Sequence, residues 1–215
     1  MVGVGLFKPL LAPKVVMSIK NSSATYGSLS ILIHWGVALV VFGLFGLGLW
    51  MVELDYYSTW YHKAPAIHKG IGVLLLLAMV FRLVWRKINP VPEPEPGQQE
   101  WEIKAAEAVH LLLYLLIFAV LLSGYLISTA DGKPVDVFGL FSLPAIISGL
   151  PKQGDIAGWV HLILAIGLVS LAVFHALAAI KHHVIDRDAT LKRMLGLKKA
   201  GATPLHSFEK NTEIL

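Results

Sequence analysis

Four long apolar stretches constrain the fold of this chain more than any other feature. They cover residues 30–52, 67–85, 106–128 and 157–180. Each has about the 20 residues that a helix needs to cross the hydrocarbon core of a bilayer, and none alternates apolar and polar residues as a barrel strand does. The composition agrees, since 56% of the 215 residues are hydrophobic and only 15% are charged. The sequence therefore predicts an all-α integral membrane protein built as a four-helix bundle.

The polar segments divide the chain and set its orientation. The connector NPVPEPEPGQQE, residues 89–100, is rich in proline and charge, so we expect it to lie outside the lipid as an extended link. One membrane domain is predicted at residues 30–184, between an N-terminal segment, residues 1–29, and a tail, residues 185–215. Of the 18 Lys and Arg residues, thirteen lie in the two ends of the chain and around this connector, whereas four lie in the two opposite loops. The positive-inside rule then places both termini in the cytoplasm.

The first sixteen residues, MVGVGLFKPLLAPKVV, are similar to a targeting signal only in part. Pro9 and Pro13 interrupt the apolar run, and no small-residue cleavage site follows it. We therefore expect no cleaved signal peptide, and Met17 is an alternative translation start.

The absence of cysteine narrows the chemistry that the chain can perform. It excludes disulfides, thiolate metal sites and the covalent attachment of haem through a C-x-x-C-H motif. Any bound metal is therefore held by histidine, carboxylate or thioether groups.

Two histidines lie inside the fourth apolar stretch, in VHLILAIGLVSLAVFHA at residues 160–176. His161 and His175 are fourteen residues apart, a spacing that advances a helix by about 21 Å and brings both side chains to one face. His34 and His68, in the first and second stretches, match these depths because consecutive helices cross the membrane in opposite directions. The depths pair His34 with His175 near the cytoplasmic side, and His68 with His161 near the outer side.

Two such histidine pairs in an apolar bundle are typical of a protein that binds two b-type haems in its core. Neutral imidazoles ligate haem iron from both sides, which leaves no open position and favours electron transfer over oxygen binding. The alternative interpretation is that these histidines are interfacial residues or hydrogen-bond partners between helices. Ionisable residues at this depth usually have a function, and four of them at matched depths favour the haem interpretation.

The same spacing of fourteen residues reaches two further positions. Gly48 follows His34 by fourteen residues, and Arg82 follows His68 by fourteen. Gly48 would let the backbone of the first helix pass close to a haem, although ordinary packing between helices explains a glycine at this position equally well. An arginine inside the membrane needs an anion, so we expect Arg82 to pair with a haem propionate, with snorkelling to the headgroups as the alternative.

His110 and Tyr114 lie near the cytoplasmic end of the third stretch. We predict that His110 is a cofactor-binding residue, either as a hydrogen-bond partner beside a haem or as part of a quinone pocket. Tyr114 and Arg82 are further candidates for that pocket. His182 and His183 follow the fourth stretch at headgroup level, where we expect them to be interfacial. By position, His110 and His182 are also alternative ligands of the haem near the cytoplasmic side.

Several segments around these histidines carry a family resemblance. They are IHW at 33–35, IHKGIG at 67–72, MVFRLVWR at 79–86, ADGKPVDVFGLFSLP at 130–144, WVH at 159–161, FHALAAIKHH at 174–183 and IDRDATLKRMLG at 185–196. Together they resemble the prokaryotic cytochrome b561 family of diheme membrane cytochromes. The resemblance implies that His34 and His175 ligate one haem b, that His68 and His161 ligate the other, and that the protein lies in the bacterial inner membrane. It also implies electron exchange with the quinone pool, with ubiquinone as the expected quinone, and in some members oxidation of periplasmic superoxide.

We therefore predict an oxidoreductase that moves electrons through two b-type haems between the quinone pool and a periplasmic one-electron donor, with superoxide as one candidate. The alternative is a haem b membrane-anchor subunit that accepts electrons from a separate periplasmic redox protein, and a third is a transporter that uses histidines for protons. The two outer loops hold four lysines against five carboxylates, which weakens the steering of an anion. No feature indicates a nucleic-acid partner, and the oligomeric state stays open, with a homodimer among the alternatives.

Overall fold

Four long helices form the body of the protein, as the sequence predicts. The structure is a computed structural model that describes residues 18–95 and 97–197. Its helices, all long and apolar enough to cross a membrane, are α1 (Ser28–Met51), α2 (Lys63–Ile88), α3 (Glu100–Ser128) and α4 (Gln153–Val184). Each begins two to six residues before the apolar run that predicted it, and α2 and α4 also end beyond their runs, whereas α1 ends one residue short of its run. The predicted all-α membrane bundle is confirmed, and Met17 lies outside the described residues.

The helices pack in chain order, and α4 closes the bundle against α1. One buried cluster at mid-height draws on all four helices: Leu44, Leu75, Met79, Ile117 and Leu168. On each helix, the residues of this cluster lie between two positions that are fourteen residues apart. Each of these positions carries either a predicted site residue or a glycine. Most other large apolar side chains are exposed on the outside of the bundle, where they suit contact with lipid.

A short β-hairpin in the α3–α4 loop was not predicted. Its strands, β1 (Val135–Val137) and β2 (Phe141–Leu143), pair antiparallel with Val135 opposite Leu143. The turn needs the left-handed conformation at Phe138 (φ 54°) and Gly139 (φ 72°), and glycine adopts it without strain. Each strand is only three residues long, so its alternation of apolar and polar residues, VDV and FSL, is too short to indicate a strand from the sequence alone.

The hairpin packs on α2, at the end of the bundle that we call the hairpin end. Val137 is fully buried, and the ring of Phe138 lies over Gly70 so closely that a Cβ there would come within 2.7 Å of it. Gly70 is two residues from His68. The hairpin therefore covers the part of α2 that carries the first predicted site residue of that helix.

The opposite end carries both ends of the described chain, and we call it the terminal end. A fifth helix, α5 (Thr190–Met194), lies there within the predicted tail. Arg193 forms a 2.5 Å ion pair with the buried side chain of Glu95 in the α2–α3 connector. The indole nitrogen of Trp35 donates to the backbone oxygen of Met194 at 2.8 Å. The start of the tail is therefore fixed both to the connector and to α1.

Candidate functional site

Eight positions, two on each helix and always fourteen residues apart, form two layers inside the bundle. We call the layer toward the hairpin end the His68 site, and its members are Gly48, His68, Gly124 and His161. We call the layer toward the terminal end the His34 site, and its members are His34, Arg82, His110 and His175. Fourteen residues make about four helical turns, so the two positions on each helix lie on the same face of that helix. All six of the predicted site residues therefore face the bundle interior, with the two glycines completing the register.

The His68 site contains two imidazoles from α2 and α4. The ring centres of His68 and His161 are 6.2 Å apart and their planes are 73° from parallel. Both rings line a cavity of about 930 Å³ that also borders Gly48 and Gly124. A Cβ at Gly48 would lie 3.3 Å from Cε1 of His68, and a Cβ at Gly124 would lie 3.1 Å from Cε1 of His161. Any larger residue at either position would need the facing ring to shift by a few tenths of an ångström.

Hydrogen bonds leave one ring nitrogen of His161 available. Its Nδ1 lies 2.9 Å from the backbone oxygen of Val120 and 3.2 Å from the hydroxyl oxygen of Ser123. Because a carbonyl oxygen only accepts, Nδ1 carries the proton and Nε2 keeps its lone pair. The Nδ1 atom of His68 is buried and has no hydrogen-bond partner among the described residues. Both rings thus offer the unpaired nitrogen that metal ligation requires.

The His34 site contains three imidazoles and an arginine. The ring centres of His34 and His175 are 6.4 Å apart, with planes 65° from parallel, and those of His110 and His175 are 5.2 Å apart. The guanidinium of Arg82 donates to Nδ1 of His34 at 2.9 Å and to the hydroxyl of Tyr114 at 3.1 Å. The two predicted cofactor-binding residues other than the four paired histidines, Arg82 and His110, are therefore both part of this layer.

Positive charge is concentrated beside the His34 site. The guanidinium carbons of Arg82 and Arg86 each lie 5.8 Å from the ring centre of Tyr114. Among the ion pairs of residues 18–95 and 97–197, none involves either arginine. Charged groups at such depth need a counter-ion. This corner of the bundle is therefore suited to an anion, and Arg86 contributes a second positive charge to it.

The ring separations can be compared with what a metal between two imidazoles requires. A ligating nitrogen lies about 2 Å from the metal and about 1 Å from its own ring centre, so two rings on opposite sides of one metal are centred about 6 Å apart. The pairs His34–His175 and His68–His161, at 6.4 Å and 6.2 Å, fit this spacing. The 5.2 Å between His110 and His175 is too short for it. The ring separations of both pairs therefore fit an iron atom held between two imidazoles.

His182 belongs to a separate salt-bridge network at the terminal end. Lys181 binds Glu102 at 2.9 Å and Asp186 at 2.7 Å, and Nδ1 of His182 lies 2.7 Å from the same Asp186 oxygen. The hydrogen bond from Lys181 lowers the pKa of the Asp186 carboxyl. Glu102, His182 and Asp186 are close enough together to hold a cation, and the Lys181 ammonium already pairs with both carboxylates. The network ties the end of α4 to α3.

Comparison with known proteins decides the family. The family model described as prokaryotic cytochrome b561 matches residues 25–197. The chain belongs to the prokaryotic cytochrome b561 family. It is 53% identical to cytochrome b561 homolog 2 of Escherichia coli strain K12 over 180 residues, which cover 84% of this chain and 96% of that protein. It is 30% identical to the probable superoxide oxidase CybB of Yersinia pestis over 81% of this chain and 97% of that protein.

Membership of the cytochrome b561 family confirms the family that the sequence resembles. A further relative, cytochrome b562 of Cereibacter sphaeroides, is 28% identical over 79% of this chain and 94% of that protein. The family carries out transmembrane electron transfer and binds b-type haem. With four membrane-spanning helices, this cytochrome b561 homologue is a bacterial membrane protein.

Sequence reasoning missed three groups that support the His68 site. Gly124 could have been found, because it follows His110 by the same fourteen residues that separate Gly48 from His34. The hydroxyl of Ser123 and the backbone oxygen of Val120 could not, since nothing in their sequence context indicates that a histidine of another helix lies against them.

Proposed function

We propose that this cytochrome carries electrons across the membrane through two b-type haems, one at each site. His68 and His161 would hold one haem, and His34 and His175 the other, so that electrons pass between the quinone pool and a periplasmic one-electron donor. The observation that carries the proposal is the pair of ring-centre separations, 6.2 Å and 6.4 Å, at two levels of one bundle. Haem, when bound, supplies an iron atom that gains and loses single electrons without an open coordination position.

The chain's own residues orient the ligands of the His68 site and keep it dry. The carbonyl of Val120 holds the proton of His161 on Nδ1 and directs Nε2 to the interior. The glycines at 48 and 124 keep the space beside both rings free of side chains. Toward mid-membrane, the cavity is bounded by apolar side chains that include Leu44 and Leu168. Such surroundings limit the access of water and favour electron transfer over side reactions.

At the His34 site, the hydrogen bond from Arg82 to His34 opposes ligation of haem iron by His34, so Arg82 must take another partner when haem binds. A neutral histidine that accepts a hydrogen bond at Nδ1, as His34 does from Arg82, carries its proton on Nε2. Ligation through Nε2 therefore requires Arg82 to turn away from His34. A haem propionate is the anion to which it would turn, with Arg86 as a second cation beside it.

The proposed orientation places both termini in the cytoplasm of the bacterial inner membrane. The basic residues support it, since eight of the thirteen Lys and Arg residues that the structure describes, among them Arg86, Lys181 and Arg193, lie at the terminal end, whereas four lie at the hairpin end. The His34 site would then face the cytoplasm and the His68 site the periplasm. Quinone, with ubiquinone as the expected species, would exchange electrons from the bilayer, and His110 and Tyr114 are the candidate residues for its pocket.

Superoxide is the first candidate for the periplasmic donor, and a separate redox protein is the second. The 30% identity to a probable superoxide oxidase supports the first. The charge of the hairpin end favours the second, because its four lysines face five carboxylates and Lys133 is paired with Asp131 at 2.8 Å. An uncharged or acidic surface gives little steering to a small anion.

A haem count and one ligand variant test the proposal. Purified protein should show two haems per chain in a pyridine haemochrome assay, whereas a transporter that uses histidines for protons would be colourless. His161→Ala should remove the bis-histidine spectrum of one haem and leave the other, while His183→Ala, on the same helix, should leave both. Two unchanged six-coordinate haems in His161→Ala would refute the assigned pairing.

A reconstitution experiment separates the two donors. Protein in vesicles would receive only ubiquinone and an enzymatic source of superoxide. Reduction of the quinone supports superoxide as donor. Absence of turnover, together with rapid haem reduction by a periplasmic redox protein, supports the anchor-subunit alternative.

A further inference from the structure

The two layers differ in what α3 places against the histidine of α4. At the His68 site, Gly124 of α3 lies against His161, and the Val120 carbonyl and Ser123 hydroxyl fix the ring through Nδ1. At the His34 site, His110 takes the position of Gly124 in the register, and its ring centre lies 5.2 Å from that of His175. The same helix face thus presents a bare backbone at one level and an imidazole at the other.

His175 lacks the groups that orient His161. Fourteen residues before Ser123 stands Val109, whose side chain has no hydroxyl, and the backbone oxygen of Ala106, fourteen residues before Val120, makes no hydrogen bond to His175. Within the described part of the chain, no hydrogen bond to a ring nitrogen of His175 is formed. The aromatic rings in contact with it are those of His34, at 6.4 Å, and His110, at 5.2 Å with planes 65° from parallel. An edge-to-face contact of this kind restricts rotation of the ring.

We propose that His110 is a positioning residue that sets the ring plane of His175. The packing of His110 against His175 takes the place of the hydrogen bonds that fix His161 at the His68 site. The proposal deepens the proposed function and rests on it, because His175 is there a ligand of the haem at the His34 site. His110 itself does not ligate, since 5.2 Å is too short for two rings on opposite sides of one iron.

The test uses the haem-loaded protein and the spectrum of each ferric haem. Low-temperature electron paramagnetic resonance distinguishes low-spin haems by the angle between their two imidazole planes. In His110→Ala the signal of the haem at the His34 site should shift, and its midpoint potential should shift with it. The signal and potential of the haem at the His68 site should stay as they are, which also shows that the bundle is folded. In Ser123→Ala the reverse selectivity is expected, because the Ser123 hydroxyl bonds to His161 and to the Val120 carbonyl, both at the His68 site.

A second variant separates packing from other roles of His110. His110→Phe keeps a flat ring and removes both nitrogens, so it should retain the wild-type signal of the haem at the His34 site. An unchanged signal in His110→Ala overturns the inference, and so does a His110→Phe protein that behaves like His110→Ala. Loss of this haem in both variants would make His110 a ligand, which also overturns the inference. A wild-type protein without two bis-histidine signals would instead refute the proposed function itself.

Discussion

A single methyl group added at position 124 tests whether the ring of His161 is held where a haem needs it. In Gly124→Ala the new Cβ would lie 3.1 Å from Cε1 and 3.3 Å from Nδ1 of His161. Carbon atoms in favourable contact are about 3.5 to 4 Å apart, so the ring must move by about half an ångström. The haem-free protein can make this movement by turning the ring into the cavity, whereas a ring that ligates iron is fixed. The strain therefore acts against haem binding.

The substitution changes two free energies, and only the first of them differs between the haem-bound and the haem-free protein. Overpacking by a methyl group costs about 1 to 3 kcal/mol. Alanine in place of glycine stabilises a helix by about 0.5 to 1 kcal/mol, and this gain applies with or without haem. If the movement of the ring relieves about half of the strain, about 1 kcal/mol remains, which corresponds to roughly a five-fold loss of haem affinity at the His68 site.

The measurement is haem retention at each site. Protein equilibrated with an excess of a haem-scavenging globin would be analysed by pyridine haemochrome, with the two haems resolved by redox titration. Gly124→Ala should lose the haem of the His68 site faster than wild type and keep the other haem. Gly43→Ala is the matched control, because a Cβ there has no atom within 4 Å. Equal retention in wild type and Gly124→Ala would refute the view that His161 is a fixed ligand.

Two further predictions concern the ends of the bundle. Gly70→Ala would bring a Cβ within 2.7 Å of the Phe138 ring, so the half-exposed ring should swing outward. The backbone amides of the hairpin should then exchange hydrogen faster than in wild type, whereas Gly43→Ala should leave their exchange unchanged. An unaltered exchange rate in Gly70→Ala would contradict the packing described. At the terminal end, the hydrogen bond from Lys181 lowers the pKa of Asp186 in the folded protein. The ionised Asp186 carboxylate therefore stabilises the fold above about pH 3.9, the pKa of an unfolded aspartate. This stabilisation is lost as the pH falls through the folded pKa. Asp186→Asn should therefore lower the midpoint of thermal unfolding at neutral pH, and a difference from wild type that persists undiminished at pH 3 would refute this origin.

The sequence by itself determined the architecture and the chemistry that it serves. Apolar length fixes four spans, because a bilayer leaves helices with internally paired backbones as the stable form of such runs. The spacing of fourteen residues is a local property of one helix, so the two levels follow from it for His161 and His175, and the depths of His34 and His68 follow from alternating direction. The rings meet in the two expected pairs, while their role as ligands stays a prediction.

Only the tertiary structure decided which neighbour each of these groups meets. Contacts between helices depend on packing order and rotation, which no single helix encodes. The bond from Arg82 to His34, the approach of Gly124 to His161 and the contact of His110 with His175 are all of this kind. The sequence places a side chain at a depth, but the free energy that selects its partner comes from neighbouring helices packed around a shared interior.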